Sequence, residues 1–125
     1  MDRFFIDASA KMPMVLIDPE KGLIEIAGNS IPEDAGSFYR MLIAKVEEYF
    51  IEDHPFTNVN IDLKYFNTST AKWLISLFRL FKKYSDEGKQ LFIKWYYDEE
   101  NDENCEFATD YCKLLNIPIR LLKAS

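Results

Sequence analysis

Three consecutive hydroxyls behind an amide, Asn67-Thr68-Ser69-Thr70, are the residues of this chain best suited to chemistry. A hydroxyl is a phosphoryl acceptor, and a phosphate placed on it adds a charge of about −1.5 to −2 with three strong acceptor oxygens. Ahead of the tetrad, Val59, Ile61, Leu63 and Tyr65 alternate with Asn60, Asp62 and Lys64. Behind it, Ala71, Leu74, Leu77, Phe78 and Phe81 recur at helical spacing. The pattern predicts strand, short polar turn, helix. The first N–H groups of a helix lack intrahelical partners and the dipole there favours negative charge, so a phosphate on Thr68 would meet donors and a favourable field. The same side chains are also preferred N-caps, a role that contributes about 1 kcal/mol by itself. Chemistry therefore permits a switch at Thr68 without requiring one.

Other groupings offer less. Cys105 and Cys112 are the only cysteines, seven apart in a predicted helix. That spacing is about 10 Å along the axis, beyond the reach of a disulfide, and it reads as two buried thiols. With His54 the only histidine, no zinc pattern forms. The acidic segment 98–103 carries Glu103 where a calcium loop needs glycine, so no metal is expected. No glycine-rich phosphate loop, zinc-protease helix or nucleophile elbow is present, which predicts a non-enzymatic chain without a cofactor. Trp73 and Leu80, seven apart beside Lys72 and Arg79, form a candidate partner surface, because Trp and Arg are enriched in binding hot spots. The competing use of Trp73 is to cover a sheet edge, and of the basic residues to solvate a helix face.

The elements that must position the hydroxyl turn are legible from periodicity. Residues 14–17 and 23–27 read as strands around the turn Asp18-Pro19-Glu20-Lys21-Gly22, a hairpin. Gly28 to Pro32 breaks the pattern, and Pro32-Glu33-Asp34 starts a helix over 35–50, apolar at Phe38, Tyr39, Leu42, Val46, Tyr49 and Phe50. The helix behind Thr70 runs to about residue 84 and stops at Gly88. A strand over 91–97, an acidic loop, a third helix marked by Phe107, Tyr111, Leu114 and Leu115, and a strand over 118–122 complete the chain. The order β-β-α-β-α-β-α-β predicts an α/β fold whose mixed sheet of about five strands carries right-handed crossovers.

Residues 61–70 resemble the strand-turn-helix of STAS domains, the anti-sigma-factor antagonists, in which a kinase modifies the first hydroxyl of an Asp-Ser-Ser-type turn. Asn67 stands in the Asp place and Thr68 in the modified place, while the Gly expected after the hydroxyls is replaced by Thr70 and Ala71. Nearly the whole chain is similar to the SiaC-like family of bacterial regulatory phosphoproteins. Ala27-Gly28-Asn29-Ser30-Ile31-Pro32-Glu33-Asp34 resembles that family's Gly-x-Ser-Tyr-Pro-Glu-Asn turn, with Ile31 for Tyr and Asp34 for Asn. Tyr65-Phe66-Asn67-Thr68-Ser69-Thr70 resembles its Tyr-Leu-Asn-Thr-Ser-Ser, and Trp95-Tyr96-Tyr97-Asp98 its Trp-His-Tyr-Asp.

The resemblance implies a STAS-like regulatory domain that works by partner switching. A serine/threonine kinase of histidine-kinase-like ATPase type would phosphorylate Thr68, and a PP2C-type phosphatase would remove the phosphate. The unmodified form would bind and activate a diguanylate cyclase, raising cyclic di-GMP and favouring biofilm growth. Asn67, Ser69, Thr70 and Glu33 are the neighbours of the switch. An anti-sigma-factor antagonist and a small-ligand sensor near the hydroxyl turn are the alternative readings. Composition fits this class. At 125 residues, 48% hydrophobic and 29% charged, the chain suits one globular domain spanning 1–125. Its net charge of −6 disfavours nucleic acid and anionic membrane, and no apolar run reaches the ~20 residues of a membrane span. A cytoplasmic location is expected.

Overall fold

Alternation in sequence becomes two rows of apolar side chains across a six-stranded sheet in the order β1-β2-β3-β4-β5-β6. The computed structural model describes residues 1–98, 102–116 and 119–123, with the backbone alone at 102–105, 112 and 115. Its elements are β1 Phe4–Ile6, β2 Met14–Asp18, β3 Leu23–Ser30, α1 Ala35–Ile51, β4 Thr57–Phe66, α2 Thr68–Asp86, β5 Leu91–Tyr97, α3 Asp102–Leu115 and β6 Ile119–Lys123. Strands β1 to β3 pair antiparallel, and β3 to β6 pair parallel. The result is the expected α/β fold with a mixed sheet.

Register aligns the rows. Ile17, Ile24, Val59, Ile93 and Ile119 lie side by side across β2 to β6. Val15, Ile26, Ile61, Trp95 and Leu121 form the next row. Both rows face the helices, whose buried residues include Tyr39, Leu42 and Val46 of α1 and Leu74, Leu77, Phe78 and Phe81 of α2. Among the described residues, the opposite face of the sheet carries no helix. Apart from the buried Asp18 at the end of β2, its residues are half-buried or exposed, among them Leu16, Glu25, Asn60, Lys94 and Arg120.

Four details differ from the sequence expectation. The sheet has six strands instead of about five, because β1 pairs with β2 through three residues, too short a run to display alternation. Strand β3 continues through Gly28-Asn29-Ser30 instead of breaking there: Gly28 adopts φ 120°, which a side chain would resist, and the ladder resumes after a bulge. Helix α3 begins within the acidic segment, at Asp102. In α2 the buried residue of the first turn is Thr70, while Ala71 is half-buried. Residues 99–101 of the acidic segment, in which no calcium loop is expected, and the side chains of Asp102, Glu103, Cys105, Cys112 and Leu115 lie outside the described residues. So does Pro118, the expected start of the last strand.

Candidate functional site

The hydroxyl turn sits where two parallel strands end together. Ser30, the last residue of β3, pairs with Phe66, the last of β4, and the N-termini of α1 and α2 follow from these two ends. Loops at the carboxyl ends of parallel strands surround a crevice in open α/β sheets.

Asn67 organises the turn. It is the N-cap of α2 and its Oδ1 accepts from the Thr70 amide at 3.0 Å and from the Ser69 hydroxyl at 3.1 Å. Its Nδ2 donates to the Pro32 carbonyl at 3.2 Å, and its own amide donates to the Ser30 carbonyl at 3.2 Å. One side chain thus caps α2 and joins it to the segment that starts α1.

Thr70 faces inward and is fully buried. Its hydroxyl donates to the Ser30 carbonyl at 2.9 Å and lies 2.9 Å from the Ser30 hydroxyl, which in turn shares a hydrogen bond of 2.7 Å with Tyr39. Burial pushes the Tyr39 hydroxyl up to about 12, the hydrogen bonds from Ser30 and Thr70 offsetting part of the effect. A buried hydroxyl without a partner costs about 1–3 kcal/mol, so this three-residue network is what makes the polar interior tolerable. Sequence reading missed Ser30 and Tyr39 as a pair with Thr70. Ser30 belongs to the segment Gly28 to Pro32, but nothing in its local pattern points across 40 residues.

Thr68 and Ser69 face outward, both exposed. Among the described residues the Thr68 hydroxyl has no protein partner, while Ser69 spends its proton on Asn67. From Thr68 an exposed edge of α2 continues through Lys72, Ser76, Arg79 and Lys83, so the hydroxyl stands at the head of a basic stripe. Trp73 and Leu80 lie beside it, half-buried and packed on the core. The Arg40 guanidinium of α1 lies 5.2 Å from the Trp73 ring centroid, a cation that the sequence reading did not select. Its signal is faint, since only the docking of α1 beside α2 brings it there.

Glu33 is exposed at the start of α1, 3.7 Å from the Lys11 ammonium. Its neighbour Asp34 caps α1 through the Ser37 amide at 3.2 Å and hydroxyl at 2.6 Å, and these bonds hold its carboxyl below the usual carboxylate range. His54, which sequence left without a partner, stacks on Tyr49 with ring centroids 4.0 Å apart and bonds the Tyr49 carbonyl at 3.0 Å. Among the described residues, no cluster of His, Cys, Asp or Glu is placed to hold a metal, and no helix is long and apolar enough to cross a membrane.

Comparison with known proteins adds a second line. The family model of SiaC family regulatory phosphoproteins matches residues 6–124. An uncharacterised protein of Pseudomonas aeruginosa strain UCBPP-PA14 is 22% identical over 121 residues, covering 97% of this chain and 96% of that one. The crystal structure of apo-SiaC from Pseudomonas aeruginosa superposes with a TM-score of 0.89 at 22% identity, over 98% of this chain and 99% of that one. The SiaC chain in the crystal structure of the diguanylate cyclase SiaD in complex with its activator SiaC, from the same organism, superposes with a TM-score of 0.88 at 21% identity, over 97% and 99% of the two chains.

Proposed function

The chain belongs to the SiaC family of regulatory phosphoproteins, and on that premise we propose that it is a partner-switching module that binds and activates a diguanylate cyclase while Thr68 is unphosphorylated. The observation that carries the reading is the division of labour in the turn. Thr70 is buried in a hydroxyl network and Ser69 bonds the cap, whereas Thr68 offers an exposed hydroxyl at the head of α2. A kinase needs an accessible acceptor, and of these three only Thr68 has both access and a hydroxyl without other duties.

The interface lies along the first turns of α2, where Thr68, Lys72 and Arg79 share an exposed edge and Trp73 flanks it. Aromatic and Arg groups supply the anchor and the basic stripe selects an acidic partner surface. Phosphate on Thr68 reverses the local charge at the head of that stripe, repels the acidic partner and raises the cost of drying the interface. No rearrangement of the fold is required. The modifying enzymes are a histidine-kinase-like ATPase that acts on Ser/Thr and a PP2C-type phosphatase, and the module itself works by binding, without catalysis, in the cytoplasm.

The test has two steps. Phosphopeptide mass spectrometry on protein from its own host, with and without the candidate kinase, is expected to find phosphate on Thr68; phosphate on Ser69 alone would move the switch by one residue. Pull-down with Thr68→Ala is then expected to recover a diguanylate cyclase that Thr68→Glu does not recover. An anti-sigma factor in its place would reassign the output to transcription, and equal recovery by both variants would end the switching reading.

A further inference from the structure

We propose that the helix-free face of the sheet is a self-complementary surface that binds a second copy of this chain. Parallel sheets are almost always covered on both faces, yet β3 to β6 are parallel and bare on one side. The bare face is not a solvated polar surface. Phe92 is 51% exposed and Phe5 47%, and Leu16, Leu23, Tyr96 and Leu122 are half-exposed among them.

The occupant follows from how side chains are distributed about β4. On the bare face β4 presents Asn58, Asn60 and Asp62, and its two neighbours carry unlike residues in the same rows. Leu23 of β3 and Phe92 of β5 flank Asn58. Glu25 and Lys94 flank Asn60. Ala27 flanks Asp62, and Tyr96 lies opposite when the β4–β5 register is continued by one residue past Ile61–Trp95. A two-fold axis between two such faces, parallel to β4, brings β3 of one copy over β5 of the other. Apolar then meets apolar, carboxylate meets ammonium, and small meets large, each twice. Glu25 and Lys94 have no ion-pair partner within the chain among the described residues, so both are free to pair across the axis. Asp62 would approach its own copy, but its charge is already met by Lys64 at 3.2 Å.

The dimensions suffice. Five strand spacings of about 4.8 Å by roughly 20 Å of strand give close to 500 Å² of flat area per copy, so two copies reach roughly the 1,000 Å² of a specific interface before side-chain relief is counted. Face-to-face sheets pack about 10 Å apart, within reach of Glu and Lys side chains from opposite sides. The closed two-fold arrangement uses each face once and stops at a dimer.

Sedimentation of the full unphosphorylated chain from about 1 to 300 μM tests the proposal, a range that brackets micromolar self-association. A reversible dimer is expected. Glu25→Lys and Lys94→Glu each place two like-charge pairs across the axis and should weaken the dimer at least tenfold. An equimolar mixture of the two variants should recover wild-type association, because each reversed charge then faces an opposite one. Both positions are half-exposed, and circular dichroism checks that the variants are folded. A monomer at every concentration would overturn the proposal and leave the face to a different partner. So would a dimer indifferent to both reversals, or a mixture that fails to reassociate.

Discussion

Positions 68 and 70 both carry threonine, and helix geometry gives them opposite fates. Two residues turn through about 200°, so when Thr70 points into the core Thr68 must point to solvent. At this scale the proposed switch is a question of access and charge. A loss of about 3 kcal/mol weakens binding more than a hundredfold, so under the proposed function Thr68→Glu is expected to reduce cyclase affinity by about two orders of magnitude while Thr68→Ala keeps it, as titration calorimetry would read. The buried partner network makes a separate prediction. Folded Tyr39 keeps its proton to about pH 12, whereas an unfolded tyrosine releases it near pH 10. The folded state therefore holds more protons in that window, and stability present below about pH 10 is lost as pH rises toward 12. Urea midpoints measured at about pH 9 and 11 should fall for the wild-type chain and fall less for Tyr39→Phe, which has no hydroxyl to titrate.

The ends of the elements carry much of the specificity of the fold. Asn67 closes α2 and ties it to the Pro32 carbonyl, so Asn67→Ala removes a cap and a tether together. Its expected cost is about 1–2 kcal/mol in chemical denaturation, with Asn67→Asp recovering the cap because an aspartate oxygen accepts equally well. At the other end of α2, the amides of Gly88 and Lys89 bond the carbonyls of Ser85 and Tyr84, and Gly88 sits at φ 99° with open space around it. Gly22 is tighter: it has φ 61°, and an added Cβ would lie 2.5 Å from the Phe56 carbonyl oxygen. Gly22→Ala is therefore expected to lower the melting temperature more than Gly88→Ala does. The first substitution adds a backbone collision to the conformational penalty, while the second carries the penalty alone.

Across the whole molecule, stability rests on the two apolar rows and the three helices that cover them. Trp95 is the largest fully buried side chain and contacts Phe66, Phe78 and Phe107 edge-on or tilted, which joins β5 to β4, α2 and α3. Among the described residues its buried indole N–H has no hydrogen-bond partner. Replacing a buried Trp by Ala typically costs about 3–5 kcal/mol, but Trp95→Phe should cost well under that, since it keeps an aromatic ring and removes an unsatisfied donor. Differential scanning calorimetry of the two variants would separate the terms. Among the described residues no helix covers the other sheet face, so the proposed surface for a second copy and the proposed switch edge of α2 lie on different sides of the molecule.

Much of this was already determined by the order of residues. Alternation at 59–65, helical spacing at 35–50 and 71–81, the hairpin turn at 18–22 and the capping tetrad at 67–70 are local patterns, and a chain writes local patterns directly into which side of an element is apolar. The resemblance of three short motifs extended that reading to the family. Contacts between distant positions were decided by tertiary structure. Ser30, Tyr39 and Thr70 meet because β3 and β4 end side by side, Arg40 reaches Trp73 because α1 docks beside α2, and β1 exists because β2 offers it an edge. Periodicity says which face of an element seeks burial, but not which neighbour will supply it. Only packing selected Thr70 over Ala71 for the interior, because a buried hydroxyl is stable there only where Ser30 accepts its proton.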